Sequence, residues 1–213
     1  LAGGSSPAAL AERAAALEQP ALALTDRHGV YGIVRFQKAC RDLGLHAVSG
    51  AEILVDGAPL VLLARCADGY RDLCRLLTVA HLTAAGLVPE ASLEASLEAS
   101  LESGPGVQAD GDELAAFRDP QDVPEPLPTD RREPPAVTFH QLAERSSRLL
   151  CLTGGRQGRL WQLVARSRWD PARRWLDRLR SLFGDALYVE LTHGLLAEDS
   201  AVAARLHAFA HDQ

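Results

Sequence analysis

Residues 24–32 read LTDRHGVYG and set a carboxylate, Asp26, and an imidazole, His28, two positions apart, directly after the apolar run Ala21-Leu22-Ala23-Leu24. Two further groups of ligand type stand in like positions: Glu52 after HAVSGA, and His193 after ALYVELT. In a parallel α/β fold, groups at the carboxyl ends of strands converge on one mouth, where sites are built. Carboxylate and imidazole donors at about 2 Å suit zinc or manganese, and mixed nitrogen and oxygen ligation is typical of hydrolytic metal sites. Asp26, His28, Glu52 and His193 are therefore the candidate metal ligands. The plainer alternative is that an aspartate at a strand end forms a turn or caps the next helix.

Two other constellations carry possible chemistry. TGGRQGR, residues 153–159, could hold an anion with Arg156 and Arg159, but it lacks the Gly-Lys-Ser/Thr ending of a P-loop and the spacing of a dinucleotide fingerprint. A tight strand-to-helix turn explains it more simply. Arg166, Arg168, Arg173, Arg174, Arg178 and Arg180, with Trp161, Trp169 and Trp175 nearby, could serve a phosphate backbone or a protein interface. Arginine-rich helical surfaces are more often solvated faces.

The elements that must position these groups follow from the spacing. Ser5-Ser6-Pro7 starts a helix, with Leu10, Ala14 and Leu17 recurring at helical intervals. ALALT is a strand, Tyr31 to Leu43 a helix stopped by Gly44, HAVSGAEILV a strand ending near Glu52, and residues 58–65 another. Asp68 to Leu82 is an amphipathic helix with Tyr70, Leu73, Cys74, Leu77 and His81 along one side. Phe139 to Arg145 follows as a helix, 149–153 as a buried strand, Leu160 to Arg166 and Pro171 to Phe183 as helices, 186–192 as a strand and Asp199 to Ala210 as a helix. Short buried strands alternating with helices predict an α/β domain with parallel strands, open or closed into a barrel. Residues 1–85 form its first part and 138–213 its second. Residues 86–137 stand apart: three tandem copies of Ala-Ser-Leu-Glu lead into a stretch rich in proline, glycine and charge, a low-complexity insertion without a packed core.

Composition narrows the classes. With 213 residues, 47% of them hydrophobic, the chain can bury one sizeable core. A net charge of -6 argues against whole-surface electrostatic binding of nucleic acid. No apolar run approaches the roughly 20 residues that cross a bilayer, and no secretory signal opens the chain, so a cytoplasmic setting without membrane contact is expected. Cys40, Cys66, Cys74 and Cys151 show no CxxC spacing and read as reduced packing residues. Methionine is absent and the last residues stop within a helical pattern, which suggests a fragment.

ALALTDRHGVYGIVRFQKACRDLGLHAVSGAEI resembles the start of the PHP (polymerase and histidinol phosphatase) domain of bacterial C-family DNA polymerase alpha subunits, particularly the error-prone, damage-associated branch. GYRDLCRLLTVAHL, LAERSSRLLCLTGGRQGRL and FGDALYVELT continue the resemblance in the family's order. It implies a distorted (β/α)7 barrel, here incomplete at both ends, with metal ligands at one mouth. Asp26 matches the ligand aspartate of the family's Thr-Asp-His, and Glu52 its Gly-x-Glu ligand. The histidine after that aspartate is Arg27 here, with His28 one place on, and the family's Leu-Thr-Gly-Cys cysteine is Gly155. Arginine cannot donate a lone pair and glycine has no side chain to offer. A His-x-His and an Asn-Asp-Val-His stretch of the family would fall outside these residues.

The resemblance thus implies the amino-terminal PHP domain of an error-prone DNA-directed DNA polymerase acting in DNA replication and damage-associated synthesis. Its metal site, built for zinc or manganese, would be degenerate and its role mainly structural. Nucleotidyl transfer would use magnesium on a palm domain elsewhere. Implied partners are the polymerase core of the same chain, DNA through the parent protein, and other replication or repair proteins. Two alternatives remain: a free-standing metal-dependent PHP phosphoesterase, and a non-catalytic interaction module using 86–137 and the Arg/Trp face.

Overall fold

The computed structural model describes residues 5–87, 134–192 and 197–211. The first helix, α1 (Pro7–Ala16), starts as its sequence dictates: Ser6 Oγ accepts from the Ala9 amide at 3.2 Å, and proline takes a first-turn position where no amide is needed. Then come β1 (Ala21–Arg27), α2 (Ile33–Asp42), β2 (His46–Val55), β3 (Ala58–Ala64) and α3 (Ala67–Ala84). The second part holds β4 (Ala136–Val137), α4 (Phe139–Ala143), β5 (Leu149–Leu152), α5 (Arg159–Ala165), α6 (Trp169–Phe183), β6 (Leu187–Tyr188) and α7 (Ala197–His211).

These strands make a six-stranded sheet in the order β1-β2-β3-β5-β6, with β4 beside the far end of β2. The fold is mixed α/β, and the path has two ends, so the described part is an open sheet. The expectation of parallel strands needs correction. β1 with β2, β2 with β4, and β5 with β6 are parallel, but β3 is antiparallel to both of its neighbours. Asp56 and Gly57, at φ 46° and 75°, turn the chain between β2 and β3. Two consecutive left-handed residues make the tight turn that a two-residue hairpin demands.

The sheet buries one face. Ala51, Ile53, Val55, Leu60, Leu62, Leu149 and Cys151 are fully buried and join α3, α5 and α6 in the main core with Leu73, Leu76, Leu160, Trp175 and Leu179. A smaller core of Ala11, Phe36 and Cys40 seats α1 and α2 against Leu22 and Leu24 of β1. The helix α3 presents a stripe rotated from the expected one: Gly69, Asp72, Leu73, Leu76, Leu77, Val79 and Ala80 are buried, while Tyr70 and Cys74 are half-buried and His81 is exposed. Asp72 can turn inward because Arg148 and Arg75 meet it, at 3.2 and 3.6 Å. Gly69 packs against the Arg148 carbonyl, which a β-carbon there would approach to 2.3 Å.

Three further expectations shift. Ala136 and Val137, which the low-complexity composition assigns to the insertion, are strand residues paired with Leu54 and Val55. The strand expected over 186–192 is only Leu187–Tyr188. Of the cysteines, Cys40 and Cys151 are buried, but Cys66 is exposed and its Sγ accepts from Gly69 at the start of α3. The Ala-Ser-Leu-Glu copies lie outside the described residues.

Candidate functional site

Strand register brings the candidate groups to one level. Arg27 pairs with Glu52, Glu52 with Val61, Val61 with Leu152, and Leu152 with Tyr188, a single row at the carboxyl ends of β1, β5 and β6. Paired residues point to the same face, and successive residues to opposite faces. Arg27 and Glu52 therefore share the face away from the helices, and Arg27 Nε donates to Glu52 Oε1 at 2.7 Å. The terminal Arg27 nitrogen donates to Gln157 Oε1 at 3.1 Å, reaching the loop between β5 and α5.

Asp26 falls on the other face. It pairs with the buried Ala51, and its Oδ2 accepts from the Gly32 amide at 2.8 Å, at the first turn of α2. Asp26 thus caps a helix that has no side-chain cap of its own. The two residues that match the family's ligand positions are on opposite sides of the sheet, and Asp26 and Glu52 do not converge.

His28 leaves the strand with φ 54°. Its amide donates to the Glu52 carbonyl at 2.8 Å, and its own carbonyl accepts from His81 Nε2 at 2.6 Å. Its Nδ1 is buried and meets no hydrogen-bonding group among the described residues. Burial, then the adjacent Arg27 charge and His81, push the imidazole below its ordinary pKa, while Glu52 opposes them. His193 lies outside the described residues.

The glycine loop does meet a carboxyl group, and that group belongs to the chain. Gly154 and Gly155 take φ 83° and 52°, and their amides lie beside the Glu190 carboxyl and favour its charged form, while Glu190 Oε2 is buried without a hydrogen-bonding partner among the described residues. Successive amides in such a turn form an anion-binding concavity. A β-carbon on Gly155 would meet Glu190 Oε1 at 2.9 Å and Thr192 Oγ1 at 2.7 Å, so the side chain missing at 155 leaves the space that Glu190 uses. Thr153 Oγ1 accepts from the Glu190 amide at 3.0 Å and fixes the tail after β6. Burial and the nearby Glu52 charge raise the Glu190 pKa, and the two glycine amides resist that rise. Arg156 turns the other way, to the buried Asp199 of α7 at 3.1 Å.

Among the described residues, no three histidine, cysteine, aspartate or glutamate groups come together in a way that could hold a metal ion. Glu52 is taken by a guanidinium and Asp26 by an amide, and Glu190 lies beside the two glycine amides with its Oε2 unpartnered among the described residues. This donor set does not fit zinc or manganese. What it makes is a cross-brace joining β1, β2, the glycine loop and the tail of β6.

The Arg/Trp cluster is also partly committed inward. Arg178 lies 4.0 Å over Phe139 and pairs with Asp56 at 3.6 Å, Arg159 lies over Trp175, and Arg205 over Trp169. Trp161 and Trp175 are buried. Sequence reasoning passed over Glu190 and Gln157. The even spacing of Tyr188, Glu190 and Thr192 was a usable signal for the first, and nothing in the sequence marked Gln157.

Residues 1–194 match the family model described as the PHP domain, and the chain belongs to that family. Its relatives include an error-prone DNA polymerase of Anaeromyxobacter dehalogenans, 38% identical over 168 residues and covering 70% of this chain. An error-prone DNA polymerase of Symbiobacterium thermophilum is 32% identical over 184 residues, covering 86% of this chain. The chain spans 14% of the length of each. Among solved structures it is similar to an amidohydrolase from Chromobacterium violaceum, with 18% identity, a TM-score of 0.49 and coverage of 98% of this chain and 78% of that one.

Proposed function

We propose that these residues form the amino-terminal PHP domain of an error-prone DNA polymerase that acts in DNA replication and damage-associated synthesis, and that the domain serves there as a structural module. The observation that carries the structural reading is the Arg27–Glu52 pair: a permanent cation is hydrogen-bonded to the carboxylate that a metal would need, while Asp26 caps α2 on the far side of the sheet. Zinc or manganese has no place in this reading, and the magnesium of nucleotidyl transfer belongs to other parts of the parent chain. The partners are the polymerase core of that chain, DNA through it, and other replication or repair proteins, in the cytoplasm. No described helix is long and apolar enough to cross a membrane.

The test uses the full natural chain carrying these residues. Templated primer extension is expected, with magnesium, and Glu52→Gln should leave its rate within about twofold. Hydrolysis of p-nitrophenyl phosphate should stay at the buffer level with or without manganese. Hydrolysis that manganese stimulates and Glu52→Gln abolishes would establish a phosphoesterase instead.

A further inference from the structure

We infer that Arg27 is a built-in counter-cation, a guanidinium that takes over the bridging that a bound metal ion would give this mouth and makes its closure independent of metal. The inference rests on the structural reading above and adds what holds the structure.

The geometry has three parts. First, parallel pairing of β1 with β2 puts residue 27 directly beside residue 52 on the face opposite the helices, so the partner of Glu52 is fixed by register. Second, the guanidinium uses two edges: Nε goes to Glu52 at 2.7 Å, and a terminal nitrogen goes to Gln157 at 3.1 Å, across 130 positions of sequence. A fixed planar fork can satisfy two acceptors lying in different directions, whereas a lysine ammonium offers one compact point of charge. Third, Gln157 ends the short turn Gly155–Gln157, whose first residue packs so closely on Glu190 that a β-carbon there would lie 2.9 Å from Glu190 Oε1. The same cation thereby links the strand pair β1–β2 to the loop that seats the second carboxylate.

A metal ion in such a mouth does two things at once: it neutralises converging carboxylates, and it joins elements that have no backbone hydrogen bonds with one another. Arg27 does both. Glu52 and Glu190 are near enough to feel each other's charge, and the guanidinium stands on Glu52 while the glycine loop packs against Glu190. Because arginine keeps its proton throughout the working pH range, the bridge is present whatever the metal supply. Gly155 completes the exchange, since a side chain there would displace the Glu190 carboxylate.

The test is hydrogen exchange by mass spectrometry on the full natural chain, read on peptides covering 46–55 and 153–159. Wild-type protection there should be unchanged by chelator or by added manganese or zinc. Arg27→Ala should speed exchange in both segments together, on the order of fivefold, and Arg27→Lys should restore the first segment better than the second. Arg27→Ala combined with Glu52→Gln should recover part of the loss in 46–55, because no unpaired carboxylate is left. Chelator-sensitive protection in the wild type would overturn the inference, and so would unchanged protection in Arg27→Ala. Either result leaves the polymerase reading intact, because primer extension tests that separately.

Discussion

Replacing Gly154 or Gly155 by alanine should give two very different losses from adjacent positions, and the difference can be worked out. Both sit at positive φ, 83° and 52°, where an L side chain costs roughly 1–2 kcal/mol. At Gly154 the new β-carbon would lie 2.2 Å from the Pro59 carbonyl oxygen and 3.3 Å from Gly158 Cα, both backbone. Neither can swing aside, so the loop must lift from β3 at an overpacking cost of about 1–3 kcal/mol more. At Gly155 the close atoms are the ends of Glu190 and Thr192, which can rotate away. The expected totals are about 3 kcal/mol for Gly154→Ala and about 1–2 kcal/mol for Gly155→Ala. Measured as hydrogen exchange of β3 and β5 in the natural chain, these are accelerations on the order of a hundredfold and about five- to thirtyfold. Equal accelerations, or a larger one for Gly155→Ala, would refute the reasoning.

Three further outcomes follow from the same geometry. Asp26→Ala should loosen the start of α2 by about 1 kcal/mol, read as faster exchange over 32–36, without altering metal content, because Asp26 is a cap. Glu190→Gln should protect the loop better than wild type at pH 7.5, and the gain should vanish near pH 4.5. The raised pKa gives Glu190 a stabilising contribution below its ordinary value that is lost as pH climbs through the raised one, and glutamine does not titrate. Leu62→Ala, at a fully buried position, should cost about 2–5 kcal/mol and lower the thermal midpoint, with a cavity as the cause.

Most of the chain's elements were legible in its sequence because their signals are local. Ser6-Pro7 starts α1, and Gly44, at φ 71°, stops the chain just after α2, as their types predict. The antiparallel β3 was also legible, since Asp56-Gly57 between two apolar runs is a hairpin signal, but the alternation of helices and strands argued more loudly for parallel pairing. The site was harder. Whether Asp26 or Arg27 faces Glu52 depends on pairing register, which one chain segment does not disclose. The family resemblance marked Asp26 and Glu52 as a pair, and alternation along β1 separates them. The turned stripe of α3 escaped for a related reason: Asp72 reads as a solvent residue until Arg148, 76 positions away, is seen to meet it. Glu190 and Gln157 belong to the mouth only through the fold of the glycine loop.

The single row that aligns Arg27 with Glu52 also constrains how the chain finds its fold. A slip of β1 by one residue along β2 would set Asp26 beside Glu52, two like charges at adjacent positions, and would turn Leu22 and Leu24 out of their core. The correct alignment is thus the one that pairs opposite charges, and the misaligned strand is rejected twice, once by charge and once by lost burial. Arg27 in this sense serves register as well as charge balance, since only the aligned strand gives Glu52 its partner.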